Sequence, residues 1–370
     1  MRVGIIGGGQ LGQMLGYAGH SLNIDCEFLD PSPAPPAASA GPVLAAAFDD
    51  TDAILELAKR CDVLSYEFEN VPVDALAVAA DVCPVYPPLD ALRQAQDRLS
   101  EKRLFESLDI ALPQWHAVDR LEDLLAAAQK LGLPLVLKTR RLGYDGKGQF
   151  LVQNEEEFET AWQQLGGSAL IAEQWIPFDY EVSAIAARGI GGETTVYPLT
   201  NNHHAGGILR YSRAPVEAPE LQREAAAAVC RMLEHLDYVG VTALELFVLN
   251  GRILANEFAP RVHNSGHWTI EGTSVSQFAN HLLAVTGQTP VAPALKGHAG
   301  MLNLIGELPA AARDADAGGA VLHDYGKSPR PGRKLGHMTL IADSAAERDA
   351  RLGRLAQSVT GSTFEFGTVQ

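Results

Sequence analysis

The chain is short of the residues that would place it in several classes of protein. Its 370 residues hold only four cysteines, Cys26, Cys61, Cys83 and Cys230. They are scattered, show no C-x-x-C spacing and sit in apolar company. That speaks against a disulfide frame or a zinc site and leaves reduced, buried thiols. Basic residues are scarce as well: 29 Lys and Arg against 45 Asp and Glu, a formal charge of −16. A nucleic-acid binder carries a basic face, so no nucleic-acid partner is expected. Any anion site must be built locally from a few cations and backbone N–H groups. No apolar run reaches the roughly 18 residues of a membrane span, so no membrane partner is expected. The start, Met1–Gly7, reads as a buried strand entering a turn, without the apolar stretch and cleavage site of a signal peptide. A cytoplasmic location is expected. What the chain does have is 46% apolar and 20% charged residues, the profile of a globular protein long enough for two or three domains.

The first ninety residues alternate short apolar strands (Val3–Ile6, Cys26–Leu29, Val63–Tyr66) with helices (Gln10–Gly19, Asp52–Lys59, Val73–Ala80), the pattern of a parallel sheet. The run Pro31–Pro36 must be a loop. Helical spacing returns at Asp97–Leu108, with Leu99, Leu104 and Leu108 on one side, and at Leu121–Leu131. Strands are expected at Leu135–Lys138, Phe150–Val152, Ala169–Glu173 and Glu181–Ala187, and a long helix at Glu217–Leu236. Val241–Leu249 and Arg252–Phe258 form a hairpin about Asn250-Gly251, the strongest short hairpin signal. Beyond about Thr289 short strands and turns suggest a small terminal unit, and there is no internal repeat.

Three motifs carry chemistry. Gly7-Gly8-Gly9-Gln10-Leu11-Gly12 matches G-x-G-x-x-G between a strand and a helix, and Asp30 ends the second strand, where a dinucleotide fold places its ribose-binding acid. Three readings stand at this point: a dinucleotide site of an NAD(P)-dependent oxidoreductase, another phosphate site, or a tight turn. The second motif is Lys138 at the end of an apolar strand, followed by the loop Gly143-Tyr144-Asp145-Gly146-Lys147-Gly148-Gln149. Its glycines can fold backbone N–H donors over a polyphosphate and Lys138 adds a point charge. The G-K-[ST] ending of a Walker A loop is missing, so the loop reads as a flap between strands, with an exposed basic hairpin as the plain alternative. The third motif is Glu245 and Glu257, one on each strand of the hairpin. Carboxylates interrupting apolar strands are costly unless paired or bound to a cation. With the carboxamide of Asn256 they offer hard oxygens suited to Mg²⁺ carried by phosphates; outward, solvated side chains are the alternative.

With these motifs in place, nearly the whole chain resembles the ATP-grasp superfamily and, within it, the N5-carboxyaminoimidazole ribonucleotide synthase family. The likeness rests on Gly8–Gly12, Tyr66–Val71, Leu142–Gly148, Asn256–Thr269 and Gly332–His337. It implies a mixed α/β and α+β architecture: a Rossmann-like parallel-sheet domain over 1–95, a two-lobed ATP-grasp domain over 96–290, and a small, mostly β domain over 291–370. It also implies an ATP-dependent carbon–nitrogen ligase of purine biosynthesis. Bicarbonate would be activated as carboxyphosphate, then captured by the amine of 5-aminoimidazole ribonucleotide, in a homodimer. Another ATP-grasp ligase, a formate-using glycinamide ribonucleotide transformylase, shares the nucleotide residues; Tyr66–Asn70 and Val262–Trp268 favour the imidazole substrate.

By the same resemblance, Arg98, Lys138 and the Gly143–Gln149 loop hold the triphosphate. Glu173, Gln174, Trp175 and Ile176 form the adenine hinge, Glu181 takes the ribose hydroxyls and His204 lies near the nucleotide. Glu245 and Glu257 bind Mg²⁺ with Asn256 beside them. Arg261, His263 and Asn264 form the bicarbonate and carboxyphosphate pocket, Arg261 suiting a planar anion through its fork of donors. Glu67, or else Glu69, meets the substrate amine or ring. Tyr144 and Lys147 reach the ribonucleotide from the flap. Many relatives have Arg in place of Lys147; the lysine keeps the charge but cannot make a guanidinium's two-pronged bond. Lys327, Arg333 and Lys334, with the backbone at Gln10 and Leu11, hold the 5′-phosphate.

Overall fold

The structure, a computed structural model, describes residues 1–143, 146–314, 319–364 and 366. The amino-terminal alternation folds as expected. Strands β1 (Arg2–Ile6), β2 (Asp25–Asp30), β3 (Val43–Ala45) and β4 (Val63–Tyr66) form a parallel sheet in the order β3-β2-β1-β4. Helices α1 (Gln10–Leu22), α2 (Thr51–Arg60) and α3 (Val73–Ala77) connect and follow them. The Asp50 carboxylate accepts the Ala53 N–H and caps α2. Two further helices, α4 (Leu89–Ala95) and α5 (Arg98–Ser107), lead out of this unit, and Asp97 caps α5 through the N–H groups of Leu99 and Ser100.

A second sheet is antiparallel and small: β5 (Trp115–Val118), β6 (Leu135–Thr139), β7 (Gln149–Val152) and β8 (Leu170–Gln174), in the order β5-β8-β6-β7. Helices α6 (Glu122–Leu131) and α7 (Phe158–Leu165) cover it and close a core of Val118, Leu124, Leu135, Leu137, Phe158 and Leu170.

The third sheet takes up most of the remaining chain. Its strands are β9 (Tyr180–Arg188), β10 (Thr194–Val196), β11 (Thr200–Ala205), β12 (Ile208–Ala214), β13 (Gly240–Leu249), β14 (Arg252–Ala259), β15 (His298–Ile305), β16 (Val321–Asp324) and β17 (Lys334–Ala342). Their order is β14-β13-β9-β11-β12-β15-β17-β16, with β10 paired on β9. Strands on either side of residue 290 share this sheet, because β12 pairs with β15. Helices α8 (Pro219–His235), α9 (Thr269–Gly272), α10 (Gln277–Val285) and α11 (Ala345–Thr360) flank it. The sixteen-residue α11 is absent from the sequence reading of short strands and turns. Its signal is present: Ser344 and Glu347 form a capping box, Glu347 N donating to Ser344 Oγ and Asp343 N to Glu347 Oε2.

The parallel sheet does not stand apart. One apolar cluster joins Val3, Ile5, Leu11 and Leu15 to Ile185, Val241, Phe278 and Leu282. Beside it, the buried His281 of α10 bridges the units: its Nδ1 accepts the Val241 N–H, so its Nε2 donates to Ser65 Oγ on β4. The three sheets thus meet around one cleft.

Candidate functional site

The cleft is a cavity of about 680 Å³ between the small lobe, the large sheet and the tip of α1. Gln10, Leu11, Glu67, Arg98, Lys138, Gly143, Gly146, Lys147, Gln149, Glu173, Gln174, Trp175, Ile176, Glu181, His204, Glu245, Asn256, Glu257, Arg261, His263, Asn264 and Lys334 all line it. Gly148 sits just behind, its carbonyl accepting the Thr139 N–H. Tyr144 and Asp145 lie outside the described residues. Arg333 is not on the cavity wall; its guanidinium donates to the carbonyl and hydroxyl of Ser328. Lys327 reaches the cavity through the side-chain oxygen of Gln10.

The amino-terminal glycine turn is filled from within. Gly8 N donates to Asp30 Oδ2 (2.9 Å) and Gly9 N to Glu67 Oε1 (2.8 Å). Gly12 N lies 3.3 Å from Glu67 Oε2. Asp30 Oδ1 accepts the Ser32 N–H, and Pro35 packs where a Cβ on Gly8 would fall. Two protein carboxylates therefore occupy the donors a pyrophosphate would need, and Asp30 is committed to the turn. This removes the dinucleotide reading. Burial raises Glu67 to about 7, against the pull of the two N–H groups, Arg261 and Lys327.

Deeper in the cleft the charges are paired across elements. Lys138 Nζ donates to Glu173 Oε2 at 2.8 Å, and Lys102 Nζ lies 3.5 Å from the same oxygen. Burial opposes ionisation of Glu173, yet the two lysines and Arg98 hold it down at about 2. The segment 173–176 therefore brings a buried anion to the cavity wall. Lys102 also donates to the Asn256 carbonyl at 2.6 Å. Neither Glu101 nor Lys102 figures in the sequence reading, which put Leu99, Leu104 and Leu108 on one side. The buried face of α5 holds Leu104 together with Glu101, Lys102 and Phe105. A run of charges at helical spacing beside Arg98 was the available signal.

The Asn250-Gly251 turn and a bulge at Asn256 together place the acids of the hairpin. Both turn residues have positive φ, 51° and 72°, and Glu245 pairs directly with Glu257 across β13 and β14. Glu257 Oε2 accepts from Arg98 Nη1 at 2.7 Å, and Glu245 Oε1 lies 3.1 Å from His263 Nε2. Burial works against the Glu245 charge, but His263 and His204 bring it to about 2. Asn256 Oδ1 is buried without a hydrogen-bond partner among the described residues, an open oxygen beside two carboxylates, so the donor set fits a hard cation. Among the described residues no group of three or more acids, imidazoles or thiols is arranged to hold a metal ion by itself. Such a cation would need further oxygens from a phosphate chain or water.

At the far wall Arg261 Nε donates to Glu69 Oε2 at 2.5 Å and Nη1 to the Val262 carbonyl. The remaining donors of its fork are uncommitted by these bonds. Next to it the buried Asn264 has neither its carboxamide oxygen nor its nitrogen hydrogen-bonded among the described residues. Across the cleft His204 Nδ1 meets Glu181 Oε2 at 2.8 Å. Burial disfavours the imidazolium, but the Glu181 bond and the field of Glu245 raise His204 overall. Phe178 and Phe247 stack at 4.6 Å near the hinge and add an aromatic surface that sequence reasoning did not anticipate.

Three family models tile the chain in this order: a ribonucleotide synthetase preATP-grasp domain over residues 1–96, an ATP-grasp domain over 103–278, and a phosphoribosylaminoimidazole carboxylase C-terminal domain over 299–351. A curated N5-carboxyaminoimidazole ribonucleotide synthase of Pseudomonas aeruginosa is 46% identical over 355 residues, 96% of this chain and 98% of that protein. The chain belongs to the N5-carboxyaminoimidazole ribonucleotide synthase family of ATP-grasp ligases. A crystal structure of the family's synthetase from Thermus thermophilus matches with a TM-score of 0.93 at 48% identity, over 98% of this chain and 100% of that one. Another, the synthase of Aspergillus clavatus in complex with ADP and 5-aminoimidazole ribonucleotide, matches with a TM-score of 0.89 at 29% identity, over 98% and 99%. The Arg98, Lys138, Glu245 and Glu257 cluster and the α1 tip with Glu67 line one and the same cavity.

Proposed function

We infer that this chain catalyses its family's reaction: ATP-dependent carboxylation of 5-aminoimidazole ribonucleotide by bicarbonate, giving the N5-carboxy product, ADP and phosphate, in purine biosynthesis. The observation that carries the reading is the single cavity in which two chemistries abut. A cationic wall with paired carboxylates suits a triphosphate and its metal; a second wall of Glu67, Arg261, Asn264 and Lys334 suits a small anion and a phosphorylated base.

In the proposed assignment Arg98, Lys138 and the glycine flap hold the triphosphate, the hinge and Glu181 hold the nucleoside, and Glu245, Glu257 and Asn256 hold Mg²⁺. The metal would offset charge on the phosphate oxygens. A bicarbonate oxygen attacks the γ-phosphorus and ADP leaves. The ribonucleotide amine then bonds to the activated carbon, the C–O bond to phosphorus breaks and the amine gives up a proton. Arg261 and Asn264 stabilise the planar anion in both steps. Glu67, with a carboxyl near neutrality, accepts hydrogen bonds from the amine. Enclosure matters because free carboxyphosphate hydrolyses, so a flap that excludes water is part of the chemistry. We also propose a cytoplasmic homodimer, on the family likeness alone.

The test is phosphate release from ATP with bicarbonate, in four arms. Ribonucleotide present with Mg²⁺ should give release well above the arm without ribonucleotide, and chelation should abolish it. The fourth arm substitutes glycinamide ribonucleotide and formate; stimulation there alone would move the protein to the neighbouring ligase.

A further inference from the structure

The chain between β16 and β17 carries Lys327 and Arg333, and β17 opens on Lys334; these are the cations assigned to the 5′-phosphate. This loop is long and exposed over Arg330–Gly332, so something must hold its charged end against α1. Backbone bonds tie its base: Tyr325 N donates to the Leu335 carbonyl, Arg333 N to Arg330 O and Gly306 N to Arg333 O. Tyr325, at the start of this stretch, sends its side chain into the interior.

Tyr325 is 1% exposed. Its hydroxyl lies 2.7 Å from His337 Nδ1 on β17 and 3.2 Å from His267 Nδ1. Its ring lies 5.8 Å from Lys327 Nζ, within range of a cation–π contact. His267 directly follows the short helical turn Asn264–Gly266, and its N–H donates to the Asn264 carbonyl. One side chain therefore touches the phosphate-side lysine with its ring and the turn behind the anion pocket with its hydroxyl.

The arrangement is directional. A phenol has one proton to donate and oxygen lone pairs to accept with, so one imidazole must present N–H at Nδ1 and the other a lone pair. Burial keeps both rings well below their ordinary value, hence neutral, so each is free to take either tautomer. The Nε2 atoms of His267 and His337 are buried with no hydrogen-bond partner among the described residues. Among the described residues, the bonds to Tyr325 are therefore the side-chain hydrogen bonds that these two rings make. A core filled only for packing would use a phenylalanine here and avoid three buried polar heads.

We propose that Tyr325 is a positioning residue for the ribonucleotide: through its ring and hydroxyl it fixes Lys327 against the Asn264–His267 turn, coupling the phosphate clamp to the anion pocket. The proposal rests on the assignment of Lys327 to the 5′-phosphate.

Tyr325→Phe keeps the ring and removes the hydroxyl. The expected result is a KM for the ribonucleotide raised about five- to tenfold, with the KM for ATP within about twofold of the unsubstituted enzyme. Ribose 5-phosphate, a probe of the clamp that needs no turnover, should bind more weakly by a similar factor in calorimetry. Amides of residues 326–334 should exchange faster with solvent. His337→Phe, which keeps a ring stacked on His323 but removes the nearer partner of the hydroxyl, should shift the same parameters in the same direction; it serves if Tyr325→Phe does not fold. An unchanged ribonucleotide KM and ribose 5-phosphate affinity overturns the proposal. So does a parallel loss for ATP and ribonucleotide with a lowered melting temperature, the mark of a merely structural residue. An unsubstituted enzyme whose phosphate release does not respond to the ribonucleotide removes the functional reading itself, and this inference with it.

Discussion

At the scale of single residues, the cleft works by setting charges before any ligand arrives, and Lys327 shows how. Burial, with the cations of Arg333, Lys334 and Arg330, lowers its ammonium to about 8 although Glu67 pulls the other way. Below that pH Lys327 is charged and can hold a phosphate dianion; above it the neutral amine cannot. Affinity for the ribonucleotide should therefore fall as pH rises through about 8, the KM rising towards about tenfold per unit well above it. Lys327→Met should show a high KM that no longer changes over that range. A KM for the intact enzyme that stays flat from about pH 7 to about 9.5 would count against the charge being at Lys327. The residues legible in the sequence were those whose chemistry cannot be hidden. Glu245 and Glu257 interrupt apolar strands; Asn264 entered only by resemblance, and its two orphan atoms show only in three dimensions. Glu101 and Lys102 escaped because a buried charge on a helix looks, in one dimension, like a solvated one. Only the distant partners Phe258 N, Asn256 O and Glu173 make their burial tolerable.

At the scale of elements, the hairpin of β13 and β14 sets the spacing of the proposed metal ligands. Asn250 and Gly251, both at positive φ, set the register from the turn as far as Leu246 opposite Ala255, and a bulge at Asn256 then brings Glu245 opposite Glu257. Alternation and the Asn-Gly pair made the hairpin legible from sequence alone, as strand–helix alternation did for β1 to β4; the bulge was not. What escaped has a physical reason too. Strands β11 and β12 carry Asn201, Asn202, Ser212 and Arg213 inside the protein, where they bond to one another and to Ser183. A polar pattern that satisfies itself across strands carries no apolar alternation to read. Gly251→Ala puts a Cβ on a left-handed residue and should cost about 1–2 kcal/mol in chemical denaturation. It meets no neighbouring atom there, so the whole effect is conformational and the Mg²⁺ dependence of turnover should survive. Loss of Mg²⁺ dependence with unchanged stability would show that the turn acts on the site by some route other than register.

At the scale of the whole molecule, the distribution of apolar clusters says which parts move together. The parallel sheet shares a core with β9, β13 and α10, and His281 bolts β4 to β13. The small lobe of β5 to β8 keeps its own core, closed by α6 and α7. Its ties across the cleft are polar: Lys102 to Glu173, Arg98 N to the Arg140 carbonyl, and Arg141 to Gln96. A lobe with a separate core and polar ties is the unit expected to open first. In native-state hydrogen exchange the amides of β6 and β8 should open at lower free energy than those of β9 and β13. Nucleotide held between lobe and large sheet adds contacts only in the closed form. A non-hydrolysable ATP analogue with Mg²⁺ at about a hundred times its Kd should stabilise the lobe by about 2.7 kcal/mol, slowing exchange there roughly a hundredfold. The β1 to β4 amides, already tied into the large core, should change far less. Equal slowing in all three sheets would mean that the chain opens as one body and that the lobe is not the moving jaw of the cleft.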